Sequence, residues 1–186
     1  MENPNDFQEL FQAMAYSYWE EANKLFGENM NEWQYDGIIY GEFGPMIRYF
    51  HNEKKVKIML LTSVNTDFYR GLFQLSHEIV HLISPTGLER TTNLEEGCAV
   101  WFSFLQINKF GGGSDYLNSC KIENTNYGKT FALVSKLLST QPEAIKLYRE
   151  HQPLIGKIGL LEFEKVGTFG LTEEEIMFLS QTFIGR

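Results

Sequence analysis

The chain has 186 residues, of which 43% are hydrophobic and 22% charged. This composition is typical of a single folded domain and excludes a disordered or collagen-like chain. The 15 Phe, 9 Tyr and 3 Trp residues can form a core that needs neither disulfides nor a structural metal. A net charge of −8 repels phosphate backbones, so nucleic acid is not expected as a partner.

The N-terminus, MENPNDFQEL, has neither a basic segment nor an apolar segment of the kind found in signal peptides. No later apolar run approaches the roughly 18 residues that a membrane span requires. The sequence therefore predicts a cytoplasmic protein that does not contact a membrane. Cys98 and Cys120 form no CxxC motif, and we expect them to be free thiols.

The first half of the chain begins with a helical pattern and continues with short runs typical of β-strands. Apolar residues spaced three and four apart predict a helix over residues 7–25, ending at Gly27. Strands are expected at 38–43, 46–50 and 56–62, the last two as a hairpin. In the third strand the alternating apolar residues predict one buried face.

The remaining predicted elements are helices. They are expected from the capping residues 65–67 to about Ser84, from about Asn93 to Phe110, over 128–139, over 142–150, and from the capping box of Thr172 and Glu175 onward. The second of these is apolar nearly all round, which indicates a buried central helix. The stretch 152–170 shows no clear pattern.

These elements predict one α+β domain over residues 1–186. A small antiparallel or mixed sheet and two buried helices would occupy about 37–110, and a helical C-terminal subdomain about 114–186.

An HExxH motif lies inside the first of the two central helices, in QLSHEIVHLIS. Residues four apart share a helix face, so His77 and His81 can converge on one metal ion. Glu78, one position further round the helix than His77, can reach a water bound to that ion. Two imidazoles beside a carboxylate suit one zinc ion. The alternative is a pair of histidines that merely pack in a helix.

A catalytic zinc ion usually has three protein ligands, so a third must be found. No histidine follows at short spacing, but NLEEGCAVWFS opens the next predicted helix with Glu95 and Glu96. Either carboxylate could serve. Both also sit where they could cap that helix, because Thr92 with Glu95, or Asn93 with Glu96, has capping-box spacing. Adjacent residues differ by about 100° around a helix, so both carboxylates cannot point at one ion.

HEIVH followed by LEEGCAVWF resembles the gluzincin metallopeptidases, a resemblance that covers roughly residues 38–110. In gluzincins a glutamate on the helix after the active-site helix completes the zinc site, often within an NEGxA-like phrase. The match of EGCA to EGxA implies Glu96 as the ligand and a minimal zincin-like fold. Glu95 is then expected to contact an imidazole N–H or to cap the helix.

The resemblance also implies a mechanism. Glu78 would act as general base toward a zinc-activated water that attacks a peptide carbonyl. Gluzincins add a Tyr or His that stabilises the oxyanion, and the chain offers Tyr116, Tyr127, Tyr148 and His151. In zincin-like folds an edge strand binds the substrate backbone, and here this would be the strand at 46–50 or 56–62. No GxMEN-like phrase is present, so aminopeptidase specificity is not expected.

Three hypotheses follow from the sequence. The first is a zinc-dependent peptidase that hydrolyses a peptide or protein substrate. The second is a zincin-fold binding or regulatory module that keeps the metal and acts through a protein partner that the sequence does not identify. The third is a protein without metal in which the histidines pack. The presence of Glu78 favours the first, since a module without catalysis does not need a base.

Overall fold

The computed structural model describes residues 6–28, 32–87 and 90–184, and within them it holds eight α-helices and one three-stranded sheet. The predicted α+β class is confirmed. In chain order the elements are α1 (Asp6–Phe26), β1 (Gln34–Gly41), β2 (Met46–Phe50), β3 (Lys55–Leu61), α2 (Phe68–Leu82), α3 (Asn93–Ile107), α4 (Gly113–Ser119), α5 (Asn126–Thr140), α6 (Ala144–Arg149), α7 (Leu160–Val166) and α8 (Glu173–Ser180). Three 3-10 turns, His51–Glu53, Thr62–Thr66 and Ile155–Lys157, lie between them.

The sheet is mixed and has the strand order β1-β3-β2. β2 and β3 form the predicted antiparallel hairpin, with Ile47 opposite Ile58, whereas β1 runs parallel to β3. Val56, Ile58 and Leu60 are buried, which confirms the predicted apolar face of β3. Because β3 is central, β2 is an edge strand that, within the described ranges, pairs on one side only.

α2 packs between α1 and the sheet and holds a fixed position relative to both. On the α1 side, a methyl group at Gly71 would lie 2.1 Å from the Phe11 ring, so only glycine allows this close crossing. On the sheet side, the Gln74 side-chain carbonyl accepts a hydrogen bond from the backbone N–H of Leu61 at 3.1 Å. The end of β3 and the middle of α2 are therefore linked directly.

α3 is buried, as its nearly continuous apolar surface predicts. Its Ser103 hydroxyl hydrogen-bonds to the Phe73 carbonyl of α2 at 3.2 Å, so the two central helices are in contact. Gly97 of α3 lies against α5, where an added methyl group would meet the Thr130 carbonyl oxygen at 2.8 Å. α3 is thus packed closely between α2 and α5.

The C-terminal part is helical, with α4 and α7 lying where the sequence indicated no element. Its last described residues return to the start of α3. There the Phe183 N–H donates to the Thr91 carbonyl at 2.9 Å, and Thr92 bridges to Thr182. The buried apolar side chains form a core cluster that draws on β3 and on every helix except α4, whose Tyr116 and Leu117 pack against it while partly exposed. In the described ranges no helix is both long and apolar enough to cross a membrane.

Candidate metal centre

The HExxH residues lie in the last two turns of α2, as the sequence predicts. The helix begins after Asp67, whose carboxylate accepts the Arg70 N–H at 3.0 Å and so caps the first turn. His77 and His81 are one turn apart, and their ring centroids are 5.0 Å from each other. α2 packs against α1, α3 and β3, which holds the backbone that carries both imidazoles.

The first turn of α3 supplies two carboxylates that do not act as capping groups. The cap is Thr92, whose hydroxyl accepts the Glu95 N–H at 3.4 Å. Asn93 is also occupied elsewhere, since its side-chain amide donates to the Phe178 carbonyl at 2.7 Å. Glu95 and Glu96, each 4% exposed, are therefore turned toward α2.

Glu96 meets both histidines. Its Oε1 lies 3.0 Å from His77 Nε2 and its Oε2 lies 3.6 Å from His81 Nε2. The two Nε2 atoms are 3.3 Å apart. One ligand atom from each of the three residues falls within 4.8 Å of the others, so the group could hold a metal ion.

Glu95 contacts the opposite side of the His81 ring. Its Oε1 is 2.9 Å from His81 Nδ1, a distance at which the ring N–H donates to the carboxylate. This bond keeps a proton on Nδ1, so Nε2 is the nitrogen that could bind a metal ion once the ring is neutral. His77 lacks such support, because its Nδ1 is buried without a hydrogen-bond partner among the described residues.

The electrostatics of the group follow from its burial and its mixed charges. Burial alone would lower the pKa of His81, but the hydrogen bond to Glu95 and the charges of Glu95, Glu96 and Glu78 raise it to about 10. Burial opposes ionisation of Glu96, yet the charge and hydrogen bond of His77 hold the pKa of Glu96 below its usual value. The metal-free group is therefore a hydrogen-bonded cluster of imidazolium and carboxylate.

Glu78 lies beside the group and faces the same cleft. It is 4% exposed, and this burial raises the pKa of its carboxyl group, with the charges of His81 and His77 opposing the shift. A carboxylate with a raised pKa accepts protons more readily at neutral pH. The position and the protonation behaviour both suit a general base.

The group opens into a cleft of about 720 Å³. One wall is the edge strand β2, of which the consecutive residues 46–49 all line the cleft. The opposite wall comes from the C-terminal part and includes Ile122, Tyr127 and Phe183, with the last two rings 4.7 Å apart. Of the two strands expected to bind substrate, the cleft is thus lined by the one at 46–50.

Only one of the four candidate oxyanion donors lines the cleft. This is Tyr127, whose pKa is raised to about 12 by burial and by the negative charges of Glu96 and Glu78. The buried Tyr148 hydroxyl donates instead to the Gly167 carbonyl at 2.7 Å. Tyr116 stacks on Tyr69, and His151 is exposed at the end of α6.

For some other residues of the cleft, the sequence contains no pattern that predicts their position there. Phe183 reaches the cleft because the last described residues fold back along the start of α3, and Ile122 reaches it from the connection between α4 and α5. Cys120 also lines the cleft as a free thiol, whereas the free thiol Cys98 is buried in the core. Comparisons of the chain with protein-family models, curated proteins and solved structures found no match.

Proposed function

We propose that the protein is a zinc-dependent peptidase of gluzincin type with a minimal zincin-like fold. The observation that carries this proposal is the meeting of three potential ligands from two helices. His77 and His81 of α2 and Glu96 of α3 direct ligand atoms at one point, beside the buried Glu78 and inside a cleft.

The distances within the group suit zinc. A tetrahedral zinc ion with bonds of about 2.0–2.1 Å holds its ligand atoms about 3.3 Å apart. The two Nε2 atoms are 3.3 Å apart, Glu96 Oε1 lies 3.0 Å from His77 Nε2, and the other oxygen of Glu96, Oε2, lies 3.6 Å from His81 Nε2, so each facing pair of atoms is close to that separation. Two imidazole nitrogens and a carboxylate are also a donor set that zinc favours in catalytic sites. Two of the three ligand residues are almost fully buried, so little rearrangement is needed.

The chemistry depends on the division of roles among the residues of the cleft. Bound zinc would supply Lewis acidity, which lowers the pKa of a coordinated water to about 7 and polarises a carbonyl. Glu78 accepts the proton of the attacking water and then donates it to the leaving amine nitrogen. Glu95 keeps the His81 ring in the orientation that presents Nε2. Tyr127 lines the cleft and stays protonated at neutral pH, so its hydroxyl would donate a hydrogen bond to a developing oxyanion.

The edge strand favours a peptide as the substrate. One side of β2 pairs with β3, so the backbone groups of its other side can pair with an extended segment. The residues that line the cleft from this strand are consecutive, so its backbone edge borders the cleft continuously from residue 46 to residue 49. A substrate bound there would run past Glu78 and the three ligands.

The substitution Glu78→Gln tests the catalytic part of the proposal. We expect the variant to bind zinc like the parent and to lose hydrolysis by about 10²- to 10⁴-fold, because only the proton acceptor is removed. The measurement is mass spectrometry of the new termini in a mixture of denatured proteins. His81→Ala is the control, and it should lose both zinc and hydrolysis.

Two outcomes would contradict the peptidase. Hydrolysis by Glu78→Gln at the parent rate would remove Glu78 from the mechanism. A parent that holds zinc but cleaves nothing in the mixture would favour the alternative, a metal-containing binding or regulatory module.

A further inference from the structure

The 3-10 turn Ile155–Lys157 lies next to Glu95 of the metal centre and does not itself line the cleft. At Gly156 this turn touches the carboxylate of Glu95: a methyl group at this position would lie 2.3 Å from Glu95 Oε2. That separation is far below van der Waals contact, so the Glu95 carboxylate occupies the space that a side chain at position 156 would need.

The turn cannot easily move away to make room. The Ile155 N–H donates to the hydroxyl of the buried Ser84 at 2.8 Å. Arg149, shortly before the turn, donates to the carbonyl of Pro153 at 2.8 Å and to that of Ile83 at 3.2 Å. These bonds anchor the N-terminal side of the turn to Ile83 and Ser84, just after α2, and on its other side the buried Ile158 packs into the core.

The end of the Glu95 side chain is the movable partner. Its Oε2 is buried without a hydrogen-bond partner among the described residues, so only the bond from Oε1 to His81 Nδ1 holds the carboxylate. A methyl group at position 156 would therefore displace the carboxylate and break that bond. The substitution would therefore disturb the orientation of His81 more than the packing of the core.

We propose that Gly156 is a positioning residue of the metal centre, which keeps open the space in which Glu95 orients His81. The inference rests on the proposed zinc site. Loss of an outer partner of a ligating histidine typically weakens metal binding by about 10- to 100-fold. Because His77 has no such partner, Glu95 is the carboxylate through which an outer residue can act here.

The test is the zinc affinity of Gly156→Ala, measured by competition with a chromophoric chelator. We expect binding about 10- to 100-fold weaker than in the parent, together with altered d–d absorption when Co²⁺ replaces zinc. Gly159→Ala is the matched control from the same segment. A methyl group at Gly159 meets nothing within 4 Å, so its zinc affinity should equal that of the parent.

A double variant separates positioning from general damage. In the Glu95→Ala background the carboxylate is absent, so Gly156→Ala should cause no further loss of zinc affinity. If Gly156→Ala alone does not fold, the double variant should still fold and should bind zinc as Glu95→Ala does.

Three results would overturn the inference. The first is parent-like affinity in Gly156→Ala, and the second is an equal loss from this substitution with and without Glu95. The third is a double variant that does not fold. A parent that binds no zinc would instead overturn the proposed function itself, so the two failures are distinguishable.

Discussion

Two adjacent glutamates at the start of α3 have different roles because of the helix geometry. Glu96 directs one carboxylate oxygen toward each of the two Nε2 atoms, whereas Glu95 contacts Nδ1 on the opposite side of the His81 ring. The sequence predicts that both cannot point at one ion, since neighbours differ by about 100°. The sequence does not show which residues cap α3, because Thr92 with Glu95 and Asn93 with Glu96 both have capping-box spacing. The folded chain shows that the Thr92 hydroxyl is the cap.

The choice of Tyr127 was also beyond the sequence. Four candidate side chains have suitable chemistry, and their distance from the cleft depends on how the C-terminal helices pack. The Tyr148 hydroxyl donates a hydrogen bond to the Gly167 carbonyl, and no local sequence pattern indicates this bond.

The raised pKa of His81 predicts proton release when zinc binds. With a pKa of about 10 the metal-free imidazole is protonated at pH 8, and it must lose this proton before Nε2 can bind zinc. We expect His81 to release close to one proton per zinc at pH 8. Apparent zinc affinity should therefore increase as the pH rises toward 10. Calorimetric titration in buffers of different ionisation enthalpy measures the release.

Glu95→Gln is the control for this prediction. The amide removes the negative charge that raises the pKa of His81, so fewer protons should be released at pH 8. The raised pKa of His81 also makes the stability of the metal-free protein depend on pH. A pKa above the unfolded value of about 6.5 stabilises the metal-free fold fully below pH 6.5, and this contribution disappears as the pH rises through about 10. Equal proton release by parent and variant would contradict the role given to Glu95.

At the scale of the elements, periodicity predicts most of the helices and strands that carry the site. The hairpin of β2 and β3, the helix α2 and the buried α3 all lie close to their expected positions. The short helices α4 and α7 were not predicted, because a segment of seven residues has too few turns to show a helical period. Strand order was not predicted either, since the parallel pairing of β1 with β3 is a long-range contact.

The close packing of α3 on α5 can be tested at Gly97. In Gly97→Ala the methyl group would meet the Thr130 carbonyl oxygen at 2.8 Å, and a backbone atom can move only with its helix. Overpacking costs about 1–3 kcal/mol, which exceeds the gain of up to about 1 kcal/mol from the higher helix propensity of alanine. We expect a net decrease of about 1 kcal/mol in the free energy of unfolding, measured with urea.

Gly111→Ala serves as the control for that prediction. A methyl group at Gly111 meets nothing within 4 Å, so its effect should stay within about 0.5 kcal/mol. Unchanged or increased stability in Gly97→Ala would show that the α3–α5 contact is looser than described.

At the scale of the whole molecule, Arg149 joins segments that are distant in the sequence. This buried guanidinium donates five hydrogen bonds to backbone carbonyls, at distances of 2.8–3.2 Å. The acceptors are Phe26, Gly27, Glu28, Ile83 and Pro153. A positive charge at the C-terminal ends of α1 and α2 also interacts favourably with the dipoles of both helices. No sequence pattern identifies it, because its partners are all backbone atoms.

The substitution Arg149→Lys should lower the free energy of unfolding by about 2–6 kcal/mol, because at least two buried carbonyls would lose their partner at a cost of about 1–3 kcal/mol each. Lysine keeps the charge but has three donors on one atom, so several buried carbonyls would lose their partner. Chemical denaturation measures the loss. Arg70→Lys is the matched control, because Arg70 is exposed and its guanidinium forms a surface ion pair with Asp67 at 3.4 Å. Arg70→Lys should change the free energy of unfolding by no more than about 1 kcal/mol. A loss for Arg149→Lys as small as that would contradict the linking role.

The central claim is that His77, His81 and Glu96 hold one zinc ion. Elemental analysis tests it most directly, on protein purified without a metal-affinity column and dialysed after zinc has been offered. We predict about one zinc per chain in the parent and in the surface control Glu173→Ala, and almost none in His81→Ala and Glu96→Ala. A parent without zinc, or a Glu96→Ala variant that holds as much zinc as the parent, would contradict the account.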